Sequence, residues 1–504
     1  MGAAESSPSL GGMASFNIED GGLEAYCRNL RKTFLTTANY ETISKVPANS
    51  QAGLSALRKA LEATDYSDFL NDYDDSELEP KRFMRRLKEK IAHEFHFMRS
   101  QAVQPLAEFL DFIAYEYVIR DILLLVQAAT STTTGISPDQ MTNMLNECHP
   151  ISDPYFSKEM KMCIIALTAA DSDPVAVMSQ LYHDVLVVSP VGKYFEQFLL
   201  SASDKDSGLD QDQVSSIFKE EPMTIVKAMV EKFYLEDFYA FCQQLGGDTA
   251  IFMGAILEAQ ADLKAISITY TSMDTPLGSA EGLQKRRSLF PSFGIMYPEG
   301  THGPVVASAD PNAVPSLASV KTFEEMGKAL QPYQAYRMLW AQFCPKLHSS
   351  TMGGDNVDDA SDDDDDLVRC VRGRERIRLR RARRSDLPPP PPHTHTRTHA
   401  HAYAPPLTHL HLSPLSSSPS RVSQQDLDDG FSTFNAELLE TAFGSQFHYA
   451  SFYAYVKLKE LEAANIHWAA ECIYIDRKEA IMPKVVPILE SAGPRAWYTQ
   501  SGAR

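Results

Sequence analysis

The chain has 504 residues, of which 44% are hydrophobic and 22% charged, and a formal net charge of -19. That length and apolar content support a large core spread over more than one domain, and the acidic balance argues against a nucleic-acid partner. Seven cysteines at positions 27, 148, 163, 242, 344, 370 and 472 are scattered without a CxxC pair, which points away from a zinc module or a secreted disulfide framework and toward the cytosol.

The leader "MGAAESSPSLGG" has neither the basic start nor the apolar middle of a signal peptide. It fits the M-G-x-x-x-S myristoylation pattern; the alternative is a flexible leader with Met13 as the true start. No apolar run approaches the roughly 20 residues needed to span a bilayer, so the chain is expected not to cross a membrane. From Phe16 onward helical periodicity dominates and strand alternation is almost absent, which predicts an all-α fold. "RFMRRLKEKIAHEFHFMRSQA" alternates basic and apolar positions at helical spacing. A second helix is predicted to start at Pro105, with "PLAEFLDFIAYEYVIRDILLLVQAA", where proline is tolerated. "MTIVKAMVEKFYLEDFYAFCQQLGG" ends in a glycine pair suited to a helix C-terminus, and "TAIFMGAILEAQADLKAISITYTS" follows it.

Near the other end, "FYAYVKLKELEAANIHWAAECI" reads as one helix over 452–473. Placing its residues about 100° apart puts Tyr453, Lys457, Glu460, Ala464, His467 and Glu471 on one polar stripe, with apolar residues over most of the remainder. Such a helix packs between others. Lys459, Glu462 and Asn465 fall inside the apolar arc, where they must pair or reach the rim. Glu460, His467 and Glu471 have the spacing of a metal set but lack further ligands, so packing is the preferred reading and no metal is expected.

Three segments share this design of an aromatic, apolar helix interrupted by acidic groups: 109–129 with Glu116 and Asp121, 250–270 with Glu258 and Asp262, and 452–473 with Glu460 and Glu462. Glu116, Asp121 and Ile122 match Glu460, Asn465 and Ile466 in spacing, and the middle copy fits with a one-residue shift. Two readings stand, a degenerate threefold repeat and the general likeness of long core helices.

The tract 352–424 departs from the rest, running from "DNVDDASDDDDD" through "RCVRGRERIRLRRARR" to "PPPPPHTHTRTHAHA". These blocks cannot bury a core and are expected to be disordered. Its acidic run lacks a calcium loop. Alternating His and Thr is what a cytosine-adenine repeat encodes, so a retained intron or a mistaken gene prediction is the leading account and a lineage-specific loop the second.

The chemistry-bearing motifs are missing. There is no G-x-x-x-x-G-K-[ST] loop and no G-x-G-x-x-G turn. "GSAEG" at 278–282 has its serine one place too early for a nucleophile elbow, and "HEFHF" at 93–97 brings its second histidine one residue too soon for a zinc-protease helix. No catalytic residue, cofactor or metal site is assigned.

The segments "FNIEDGGLEAYCRNLR", "LEATDYSDFL", "LKEKIAHEFHFMRSQAVQPLAEFLDFIAYEYVIRDI", "FYAFCQQLGG", "YPEG" and "QFHYASFYAYVKLKELEAANIHWAAECI" resemble the subunit d family of vacuolar-type proton-translocating ATPases, which is related to the C subunit of the archaeal enzyme. The resemblance covers about 16–350 and 424–490. It implies a non-catalytic, all-α subunit of three similar helical domains around a central opening: 16–130, 131–270, and 271–351 with 425–490, with 1–15 as leader, 352–424 as insertion and 491–504 as tail. It implies docking, as one copy in a hetero-oligomer, on the cytosolic face of the proteolipid ring in vacuolar or other acidic-organelle membranes, with the central-stalk subunits as further partners. Glu116, Asp121, Glu258, Glu460, Glu462 and Asn465 would then fix helix packing or line the opening. Relatives commonly carry a cysteine where this chain has Val46, so a bridge from there to Cys472 is not available. The ending "IMPKVVPILESAGPRAWYTQSGAR" follows the family's short isoleucine-proline ending only loosely.

Overall fold

The computed structural model describes residues 19–47, 50–70, 79–131, 144–145, 148–156, 189–203, 211–305, 313–343 and 424–489. The chain divides into two units, 1–343 with 423–504 and 344–422, and every described residue lies in the first. The leader with its myristoylation pattern, the tail 491–504 and the anomalous tract up to residue 423 lie outside the described residues.

All regular structure among the described residues is helical. The N-terminal helices are α1 (Gly21–Asn29), α2 (Thr37–Ser44), α3 (Ser50–Leu61), α4 (Ser67–Leu70), α5 (Pro80–Gln101) and α6 (Leu106–Ser131). The middle holds α7 (Gly192–Ala202), α8 (Gln211–Glu220), α9 (Met223–Leu245), α10 (Gly247–Ser272), α11 (Leu283–Ser288) and α12 (Glu299–His302). Then come α13 (Phe323–Leu330), α14 (Gln334–Phe343), α15 (Gln424–Ala442), α16 (Ala450–Tyr474) and α17 (Ile481–Lys484). Pro80 opens α5 at a position whose N–H has no helical acceptor. The α9–α10 turn places Gly246 at φ 68° and Gly247 at φ 56°, the left-handed region that a side chain resists.

α16 is the organising element. It packs on α5, α3 and α1 from the N-terminal region, on α15 and α17, and more lightly on α6 and α10. Within 425–490, α15 lies on α14 and α10, whereas α16 enters among the first helices of the chain. α9 and α10 form a hairpin, and α9 also packs on α6 and α7. Where α6, α9 and α16 meet, Phe112 stacks on Phe238 at 5.2 Å, and Phe238 lies 5.6 Å from Phe109 and 6.0 Å from Tyr453. Aromatic contacts of this kind add about 0.5–1.5 kcal/mol each beyond the area they bury, so the three helices are fixed by directional packing as well as by burial. No described helix is long and apolar enough to cross a membrane.

Candidate functional site: polar groups on the long helices

The apolar arc of α16 contains a closed ionic cluster. Lys459 and Glu462 are fully buried and pair at 2.8 Å. Glu462 also accepts the Leu35 N–H at 2.5 Å and the Tyr66 hydroxyl at 2.7 Å, while Lys459 donates to the Thr33 carbonyl at 3.2 Å. Its ammonium lies 4.4 Å from the Phe34 ring centre. Burial, the largest effect, pulls the Lys459 ammonium below its ordinary range, and the Glu462 carboxylate opposes it. A second buried cation adjoins this cluster: Lys90 of α5 pairs with Asp65 at 2.5 Å and Glu94 at 2.7 Å, and Glu94 accepts the Tyr455 hydroxyl. Two buried ammonium groups are therefore matched by carboxylates from the helices and from the N-terminal segment, as charges removed from water require.

The long helices repeat one further device. Asp121 on α6 accepts the His149 N–H at 2.8 Å and the Ser152 hydroxyl at 2.5 Å. On α10, Asp262 accepts the Met296 N–H at 3.1 Å and the Tyr336 hydroxyl at 2.8 Å. Asn465 on α16 accepts the Val486 N–H at 3.1 Å and donates to the Val486 carbonyl at 2.8 Å. All three are buried, and each holds a later loop one or two residues before a proline: Pro150, Pro298 or Pro487. Burial raises the pKa of both aspartates. For Asp121 the Ser152 hydroxyl, Arg120 and the His149 N–H oppose the shift, and for Asp262 the pKa reaches about 7 despite the Tyr336 hydroxyl and the Met296 N–H. Gly294 presses against Asp262 at φ 135°, where a Cβ would stand 2.3 Å from the carboxylate oxygen. Only glycine fits that approach.

Glu116 and Glu460 behave differently. Their side chains are 41% and 26% exposed, and both bind Lys457, at 2.7 and 3.3 Å. Burial works against the Lys457 ammonium, but Glu116 and Glu460, with the Tyr117 and Tyr453 hydroxyls, raise its pKa well above the usual lysine value. On α10, Lys264 pairs with Glu231 and Gln260 donates to the Tyr453 hydroxyl at 2.7 Å. Glu258 is half-buried and accepts the Tyr239 hydroxyl at 2.8 Å.

The polar stripe read from the sequence is thus split. Tyr453 is buried, Glu460 turns to Lys457, and His467 faces Glu471 at 3.8 Å. Glu460, His467 and Glu471 do not converge on a point. His96 in the "HEFHF" stretch lies 3.0 Å from the Pro150 carbonyl, and His93 packs on Phe69. Cys472 is a buried free thiol. Sequence reasoning missed His149, Tyr66 and Leu35; the prolines that follow the anchored loops were the available signal for the first.

The fold and these anchors define an all-α protein in which charged side chains tie helices to loops and to one another. The chain belongs to the family described as ATP synthase (C/AC39) subunit, whose sequence pattern matches residues 23–356 and 401–483 and leaves 357–400 unmatched. Among its relatives, a protein of Dictyostelium discoideum named V-type proton ATPase subunit d is 27% identical, with 95% of this chain and 97% of that protein covered. A rice protein named probable V-type proton ATPase subunit d is 26% identical over 94% of this chain and 98% of its own length. An Arabidopsis thaliana protein, V-type proton ATPase subunit d1, is 25% identical over 94% of this chain and 97% of its own length.

Proposed function

We propose that this chain is the non-catalytic stalk subunit of a V-type proton ATPase, docked on the cytosolic face of the membrane proteolipid ring, and that it holds the foot of the central stalk so that ATP-driven rotation reaches the ring. The observation that carries this reading is the breadth of the family match, which runs from α1 to α17 and leaves 357–400 unmatched between its two parts. A part that transmits torque must resist deformation. The buried contacts that tie α16 to Thr33, Leu35 and Tyr66 join the two ends of the described chain into one packed body. No bond-making step is assigned to the polar groups; their work is mechanical. One copy per complex, with the ring and the central-stalk subunits as partners, follows from the same reading, as does a place on vacuolar or other acidic-organelle membranes.

The test is affinity purification of the tagged chain from detergent-solubilised membranes, with identification of the co-purifying proteins. Recovery with proteolipid and central-stalk subunits is expected, and removal of the chain should abolish organelle acidification. Recovery of the chain alone, with acidification unchanged in its absence, would leave a free-standing helical adaptor as the better account.

A further inference from the structure

A cleft of about 280 Å³ opens between α5, α6, the start of α9 and the loop at His149. Lys88, Arg120 and Lys227 line it with Asp121 and His149, and Leu124, 40% exposed, adds an apolar flank. Cationic residues from three helices therefore line the cleft beside one carboxylate. Of that carboxylate, Oδ2 is engaged, accepting both the His149 N–H and the Ser152 hydroxyl, while Oδ1 faces Arg120. Arg120 Nε stays 3.9 Å from Asp121 Oδ1, and Lys227 Nζ stays 3.9 Å from Glu231, both beyond hydrogen-bond range.

His149 supplies a second, independent observation. Its side chain is 1% exposed, and its Nδ1 accepts the Ile151 N–H at 3.2 Å. The proton of the neutral ring is therefore on Nε2. That N–H is buried and has no hydrogen-bond partner. The nearest carboxylate, Glu460, is 3.9 Å away and is bound to Lys457. A buried donor left unmade costs about 1–3 kcal/mol, so such groups in native proteins usually answer to a ligand or an ordered molecule.

We propose that this cleft binds a small phosphorylated molecule, with its phosphate oxygens facing Lys88, Arg120 and Lys227 and one of them accepting the His149 Nε2–H. A phosphate monoester suits the arrangement better than a carboxylate. Its three terminal oxygens match donors that arrive from separate elements, whereas a planar carboxylate engages one fork. The volume accommodates a phosphate with a sugar- or polyol-sized body, and Leu124 offers contact to its carbon skeleton. A soluble phosphate ester and the headgroup of a phosphorylated lipid share this chemistry. The site stands independently of the stalk assignment.

The test uses the full chain, with calorimetric titration by inositol trisphosphate and by inorganic phosphate at low and physiological salt. Sedimentation with vesicles of phosphatidylcholine, with and without a phosphatidylinositol bisphosphate, forms the second arm. Saturable binding of inositol trisphosphate that weakens with salt is expected. Arg120→Gln and Lys227→Gln, at half-exposed positions, should each weaken it about tenfold, the effect of losing one charge-assisted bond, with melting temperature unchanged for Lys227→Gln. Displacement of the chain from the bisphosphate vesicles by inositol trisphosphate would identify the lipid as the source, and soluble binding without vesicle binding would identify a free metabolite. Absence of saturable binding at low salt, or binding to either probe that both variants leave intact, would overturn the site.

Discussion

Replacing Glu462 by alanine isolates the ionic cluster in α16. The substitution removes the partner of a fully buried ammonium and the acceptor of two further donors, the Leu35 N–H and the Tyr66 hydroxyl. Breaking a buried ion pair by deleting one member costs about 3–5 kcal/mol, because the survivor stays in low dielectric without compensation. The cost has a ceiling set by Lys459 itself, which can shed its proton. Its pKa is already lowered by burial, and loss of the carboxylate that opposes this must lower it further. Between its lowered folded pKa and the ordinary lysine value the folded variant therefore binds fewer protons than its unfolded chain, and its deficit shrinks as pH rises through that window. Removing both charges, as in K459M/E462L, takes away the stranded ammonium but still leaves the Leu35 N–H and the Tyr66 hydroxyl without an acceptor, at about 1–3 kcal/mol each, so it should recover only part of the E462A loss. Urea unfolding followed by circular dichroism gives the three stabilities, and amide exchange at Leu35 gives a local readout, with faster exchange expected in E462A. If E462A unfolds with the parent, or if the apolar double variant is as damaged as E462A, Lys459 does not depend on Glu462 and the cluster is not what holds α16 to the N-terminal segment.

Three further outcomes are expected. Burial, with Arg28 adding to it and Asp248 and the Ser445 backbone opposing, lowers the pKa of His448 from 6.5 to about 4. Its stabilising contribution is then complete above the unfolded value and is lost as pH falls from 6.5 toward 4, on the order of 3 kcal/mol in all; His448→Phe, which keeps the stack on Phe252, should flatten this acid limb in pH-dependent melting. Glu116→Ala or Glu460→Ala alone should cost about 1 kcal/mol or less, because Lys457 keeps the other carboxylate, whereas the double variant should cost more than the two together in a double-mutant cycle. Deleting 357–400, the stretch outside the family match, should leave melting temperature and recovery with the pump unchanged, since lengthening a loop adds only about 0.6 kcal/mol per doubling.

The sequence was most informative where a residue's own helix decided its fate. At helical spacing Lys459, Glu462 and Asn465 fall in the apolar arc, and all three are buried in α16, with 0, 0 and 5% exposure. Their partners were not legible, because Leu35 and Tyr66 are about 400 residues away and no periodicity in one helix encodes what another segment brings to it. The same limit explains Glu116 and Glu460. Read as acidic intruders in apolar helices they resembled Glu462, yet they are partly exposed and share a cation that α16 brings to α6. His149 carried no signal of its own. It lies in a loop whose place is set by groups on neighbouring helices, Asp121 at its N–H and His96 at the Pro150 carbonyl.

The one-residue shift of the middle helix gains a physical meaning from the three anchored loops. Asp121, Asp262 and Asn465 do not occupy identical registers relative to Glu116, Glu258 and Glu460, but each accepts a backbone N–H from a loop that returns to its own helix. A repeat of apolar residues alone would tolerate sliding of that loop, because hydrophobic burial is not directional. A hydrogen bond to one main-chain N–H is directional, and at a buried site its loss leaves two unsatisfied groups. Short side chains strengthen the constraint, since Asp and Asn cannot follow a loop that shifts by much more than a bond's tolerance. The recurring element is therefore the anchor and not the sequence around it: a polar residue near the middle of a long helix, a loop that comes back, and a proline just past the anchored N–H. Loops fixed in this way resist sliding along their helices, the property that the proposed stalk role would require.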